Sequence, residues 1–218
     1  MKAITVLLIS GVVVTGCVTA TVQEIRQGKT GIKSDESVVV LGRKHKTRDE
    51  TESRFVDCVS RRLESEKSGI GVMSEEEFVD ATFPWFEPRT APLSTGDLTK
   101  VISEPLVSAR IKDIGVRFLI WIEGTTERTG ESGSLQCAVM AGGIPSCFGF
   151  LTWEDDSNYE ASIWDVKSGM SVGRVSSEAM GTSFIPAVGL PLPIIAQVQD
   201  SACSSLSKQL TSFLSDDT

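Results

Sequence analysis

The 218-residue sequence predicts an α/β (α+β) sandwich: a mixed sheet with helices packed on it, an antiparallel meander in the C-terminal half and a closing C-terminal helix. Three features carry this prediction. Up to about residue 123, apolar runs of strand length alternate with stretches whose apolar residues recur at helical spacing. From about residue 134, strand-like segments follow one another, separated by Gly, Ser, Asn and Asp turns. The chain then ends in a long segment, residues 194–213, with a single apolar stripe. Helix-linked strands followed by consecutive strands bury their apolar faces as layers of helix on sheet.

The chain opens with Lys2 and the apolar run Ala3-Ile4-Thr5-Val6-Leu7-Leu8-Ile9-Ser10-Gly11-Val12-Val13-Val14, followed by Thr15-Gly16-Cys17. One positive charge, a short apolar core and small residues at its end are the layout of a secretory leader. The run is shorter than the roughly 20 apolar residues that a spanning helix needs. Its small-residue pair before Cys17 resembles the lipobox of bacterial lipoproteins, which implies removal of residues 1–16 and acylation of Cys17. Residues 17–36 are polar and glycine-containing, as expected of a flexible tether between lipid and domain.

Residues 37–214 are enough for a single domain with its own core. Val38-Val39-Val40-Leu41 before Gly42 reads as a buried strand. Thr47-Arg48-Asp49-Glu50 matches a capping box, and the helix it opens carries Phe55, Val56, Cys58, Val59 and Leu63 on one face. Residues 69–73 form a second strand. Ser74-Glu75-Glu76-Glu77 starts a short helix that must end before Pro84. After a proline-rich loop, Pro105 begins a helix through Leu106, Val107, Ile111 and Ile114. Val116-Arg117-Phe118-Leu119-Ile120-Trp121-Ile122-Glu123 is a central strand covered on both faces. Four strands are expected at about 134–141, 147–153, 159–166 and 171–180. The last helix buries Ile195, Val198, Ala202, Leu206, Leu210 and Phe213.

The formal net charge is −8, and one unit more negative once Lys2 leaves with the leader. That field disfavours nucleic acid and anionic headgroups as partners, so membrane binding falls to the lipid on Cys17. Four further cysteines in an exported chain imply two disulfides, with three possible pairings. The turn-rich stretch between Cys137 and Cys147 would bring two strands together, while Cys58 and Cys203 lie on helices near the two ends of the domain. The expected pairs are therefore Cys137 with Cys147 and Cys58 with Cys203. The cysteine spacings are not those of a metal site, and the single histidine, His45, is far from any of them, so neither metal nor cofactor is expected.

The early strand and helix, the strand Gly115-Val116-Arg117-Phe118-Leu119-Ile120-Trp121-Ile122-Glu123-Gly124, and the hairpin Ala161-Ser162-Ile163-Trp164-Asp165-Val166-Lys167-Ser168-Gly169 resemble, in their order, the curli-secretion and penicillin-binding-protein activator lipoproteins. The amino-terminal domain of the Tol-system propeller protein is similar in outline. The resemblance spans roughly residues 37–214 as topology and implies a periplasmic accessory role in an envelope machine. The chain differs from that group in its four extra cysteines and in the insert Phe83-Pro84-Trp85-Phe86-Glu87-Pro88-Arg89-Thr90-Ala91-Pro92. Long alternating hairpins are not evident, so a membrane pore is not expected. Val18 directly after the cysteine, where the lipoprotein sorting rule would place Asp for inner-membrane retention, implies the outer membrane, facing the periplasm.

Trp85 and Phe86, stiffened between prolines, are candidate anchors for a protein partner; packing over the sheet as a lid is the competing reading. Gly169-Met170-Ser171-Val172-Gly173 fits the nucleophile-elbow pattern, but no helix is expected after it and the only histidine precedes it, so a tight turn explains the glycines. Arg43-Lys44-His45-Lys46-Thr47-Arg48 is basic but is followed at once by Asp49, Glu50 and Glu52, as in a solvated loop. Glu154, Asp155, Asp156 and Glu160 read as a solvated acidic turn. The expected function is a lipid-anchored, non-enzymatic periplasmic domain that binds an envelope protein. A small-ligand carrier is the alternative, with a serine hydrolase using Ser171 behind it.

Overall fold

The computed structural model describes residues 17–44, 50–65, 68–140, 142–143, 145–191 and 194–215. The leader therefore lies outside the described residues, as do His45 and residues 47–49 of the first capping box.

Eleven elements follow in order: β1 (Val18–Arg26), β2 (Ser37–Gly42), α1 (Ser53–Leu63), β3 (Gly71–Met73), α2 (Glu75–Ala81), α3 (Thr95–Ser103), α4 (Pro105–Asp113), β4 (Val116–Val139), β5 (Pro145–Asp165), β6 (Met170–Pro191) and α5 (Val198–Ser215). The six strands form one mixed sheet in the order β1-β6-β5-β4-β2-β3. β2 runs parallel to β3 and β4, and the β4, β5, β6 and β1 pairs are antiparallel. The expected class, with its meander and closing helix, is the one observed.

Strand alternation divides the core. Val38, Val40, Phe118, Ile120 and Ile163 point to one face, where Phe55, Val59 and Leu63 of α1 and Leu206, Leu210 and Phe213 of α5 cover them. Val39, Leu41, Leu119, Trp121 and Trp164 point to the other, under Phe78 of α2, Leu98 and Ile102 of α3 and Val107 and Ile111 of α4. The Cys58–Cys203 disulfide ties α1 to α5 on the first face, and Cys137–Cys147 joins β4 to β5 near their turn, both as paired from the sequence.

Four expectations are corrected. Residues 18–26 of the supposed tether form edge strand β1, with Val18 opposite Gly181 and Val22 opposite Ser177. Its alternate residues Val18 and Val22 pack against the α5-side core while Thr19, Thr21 and Ile25 face outward, a half-buried pattern hidden by its polar composition. Second, α1 starts at Ser53 with Glu52 at its N-cap and no side-chain cap bond, later than the capping-box match suggested. Third, the loop before Pro105 contains α3, capped by the Ser94 hydroxyl accepting from the Asp97 amide at 3.2 Å.

Fourth, the four expected strands of the meander are parts of three long ones. β4 runs unbroken from the core to Val139, and the acidic segment read as a turn lies in the middle of β5, paired on both sides. Gly124 is in the left-handed region at φ 136°, where a Cβ would meet the Asn158 carbonyl oxygen at 2.0 Å, so this glycine serves a close strand approach rather than a chain reversal. Long hairpins are therefore present, contrary to the expectation, and together β4, β5 and β6 extend as a three-stranded arm beyond the helices.

Candidate functional site

The parallel strand β2 ends at Leu41 and Gly42, beside the N-terminus of α2 and the aromatic insert. The mouth of a sheet at the C-terminal end of parallel strands, where neighbouring chains diverge, is where open α/β folds form ligand crevices. Here it forms a cleft of about 730 Å³. Leu41, Trp121 and Phe86 supply its floor, each less than 5 % exposed. Glu75, Glu76, Asp80, Glu87 and Asp57 line it as carboxylates against Lys44, which pairs with Glu75 at 3.1 Å.

Local chemistry shapes each wall. Ser74 caps α2 by accepting from the Glu77 amide at 3.2 Å, so three consecutive glutamates fall in the first turn, where the helix dipole favours them. Arg110 of α4 donates from Nε to the Ala81 carbonyl at 2.6 Å and holds the other end of α2. Phe86 packs edge-on to Phe78, with ring centroids 4.8 Å apart. The Trp121 indole donates to Glu123 at 3.2 Å, leaving its ring as apolar floor.

A second polar centre sits where the arm leaves the body. Glu52 Oε1 accepts from the Thr126 backbone amide at 2.8 Å and Oε2 from the Tyr159 hydroxyl at 2.9 Å. The same hydroxyl lies 2.8 Å from Thr126 Oγ1 and accepts from Gln199 Nε2 at 3.1 Å. Tyr159 is fully buried and stacked on Phe55, with ring centroids 3.4 Å apart. Burial chiefly, together with the Glu52 carboxylate, pushes its phenol well above the usual tyrosine value, so it stays a neutral donor. The network joins α1, β4, β5 and α5 and is structural in character.

The sequence-derived candidates divide as follows. Phe86 is a core residue of the cleft floor, so the lid reading describes its ring; Trp85 is partly buried against the same cluster, and the exposed aromatic of the insert is Phe83, at 66 %. Ser171 lies in β6, with its hydroxyl donating to the Ile163 carbonyl at 3.4 Å, and no helix follows it as an elbow would require. Cys17 is exposed, lies outside both disulfides and directly precedes β1. Along β5, Asp155 pairs with Arg128 at 3.5 Å while Asp156 lies on the opposite face, and among the described residues there is no cluster able to hold a metal. The cleft was not foreseen, because the glutamates of α2 were legible only as a capping box and Trp121 only as strand core.

No protein-family model matches the chain, and no curated protein matches it. Two solved PelC dodecamers from Paraburkholderia phytofirmans, one a single-substitution variant, are similar at a TM-score of 0.42, with 13 % and 14 % identity over 91 % of this chain and 100 % and 99 % of theirs.

Proposed function

We propose that this chain is a lipid-anchored, non-enzymatic domain of the bacterial envelope that binds a protein partner through the acid-rimmed cleft at the foot of its arm. The observation that carries the reading is the cleft: a buried apolar floor of Leu41, Phe86 and Trp121 inside a rim of exposed and half-exposed carboxylates. An apolar centre with a charged rim is how protein interfaces divide affinity from selectivity. Its occupant would be a segment with an apolar anchor and flanking basic side chains. Removal of residues 1–16 and acylation of Cys17 would confine the domain to the membrane surface, so that modest affinity suffices. Val18 after that cysteine favours the outer membrane, facing the periplasm.

A photo-crosslinking residue at Val79, in the lipidated protein in intact cells, tests this. One discrete adduct is expected, lost in Glu76→Lys/Glu87→Lys while the melting temperature stays unchanged. Adducts unaffected by that charge reversal would count against the cleft. A small organic cation is the second reading, favoured by a cavity volume within the range of small-molecule sites. The hydrolase reading is tested by fluorophosphonate labelling of Ser171.

A further inference from the structure

We propose that the outer end of the β4–β5–β6 arm enters the membrane interface beside residue 17, making a second membrane contact; this rests on the lipid-anchor reading above. Two independent observations converge on it.

The first is composition. Residues 132–153 and 179–199 contain no Asp, Glu, Lys, Arg or His, although charged residues make up 23 % of the whole chain. These two stretches contain the outer halves of all three strands. Within them Phe148 and Phe150 are 51 % and 50 % exposed, and Val139 and Met140 at the turn are 73 % and 48 % exposed. Phe148 and Phe150 stand two residues apart on β5 and so share a face. Val139 is on the other face, so exposed apolar side chains gather on both faces of this uncharged end, which marks an interaction surface.

The second is register. Val18 lies opposite Gly181, which lies opposite Asp155. At that level Arg128 pairs with Asp155 at 3.5 Å and with Glu131 at 3.6 Å, the last described ion pairs before the uncharged end. Residue 17 therefore emerges beside the belt where charge stops, with no tether between it and the sheet. Acyl chains on that cysteine bring the belt to headgroup level and leave the uncharged end facing lipid. About eight residues per strand lie beyond the belt, roughly 25 Å at 3.3 Å per residue. The outer edge of β4 has no strand partner among the described residues past Ile122. Unpaired backbone groups are excluded from hydrocarbon, so the arm inclines and its end stays where water and headgroups reach that edge.

The test uses the full lipidated protein in phosphatidylethanolamine/phosphatidylglycerol vesicles, with Phe150→Trp as reporter and lipids brominated at shallow or deep acyl positions. The expected result is a blue-shifted emission from the introduced indole, quenched most by shallow bromines above the background of the unsubstituted protein, and less quenched when Phe148→Asp is added. Emission that is indifferent to bromine while the protein co-sediments with vesicles overturns the proposal and leaves the lipid anchor standing. A blue shift without quenching, together with a mass above one chain by light scattering, also overturns it, because a second copy then covers the patch. If mass spectrometry finds no acyl group on Cys17, the anchor reading fails instead. The same quenching, read on the unacylated protein, then supports or overturns the arm contact by its presence or absence.

Discussion

Glu52 sits where the sheet loses a strand. β2 ends opposite Ile122, whose carbonyl accepts from the Arg43 amide at 2.9 Å and the Thr51 hydroxyl at 2.9 Å. Farther out along the same edge the Thr126 amide goes to Glu52, so a side chain takes up hydrogen bonding where the strand partner has ended. Glu36 has a comparable place at the opposite end of β2. Its carboxylate pairs with Lys167 and, at 3.6 Å, with Arg117. Burial raises the Glu36 pKa, but the Lys167 hydrogen bond, the Lys33 amide and the two cations outweigh it, and the net direction is below the ordinary value of 4.5. A carboxylate depressed on folding contributes stability that is present above its unfolded pKa and lost as pH falls through the folded one. Glu36→Gln should therefore lower stability at neutral pH, and the gap from the parent protein should close on acidification below the glutamate range. Urea titrations at the two pH values check this; a gap that persists in acid would mean that the effect is packing.

At the scale of elements, β1 makes the sharpest claim. A flexible tether would be indifferent to its side chains, whereas a strand half-buried under α5 is not. Val22→Ala should cost roughly 1 kcal/mol, read as a lower urea midpoint with an unchanged slope. An unmoved midpoint would return residues 18–26 to the tether reading. The elements legible in the sequence were those marked by apolar periodicity or by a start signal such as Ser74 or Pro105: β2, α1, β3, α2, α4, the inner half of β4 and α5. The arm was legible only as shorter separate strands, because in a long hairpin neither face is continuously buried, and Gly124, Gly130, Asp155 and Asp156 occupy strand positions that composition assigns to turns. The cleft was out of reach for a related reason: Leu41, Glu76, Phe86 and Trp121 come from four separate parts of the chain, and no local spacing joins them.

For the molecule as a whole, the two disulfides act at different ranges. Cys58–Cys203 spans 145 residues and Cys137–Cys147 spans 10. On the chain-entropy model the long loop contributes about 5 kcal/mol and the short one about 3 kcal/mol. The paired serine replacement at 58 and 203 should thus lower the thermal midpoint more than that at 137 and 147, whose effect should stay local to the arm. Equal losses by calorimetry would contradict this loop-length ordering.

In the export proposed above, the pairing of β1 with β6 would set an order of events. A chain threaded through a translocon amino end first delivers residues 18–26 early, yet their partners, residues 173–181, arrive only after most of the polypeptide has crossed. In such an export the amino-terminal segment would wait, solvated and unpaired, with an open template for foreign strands on display. Its charged and polar residues Gln23, Glu24 and Arg26, which give it the composition of a linker, would then disfavour pairing with foreign strands during that wait.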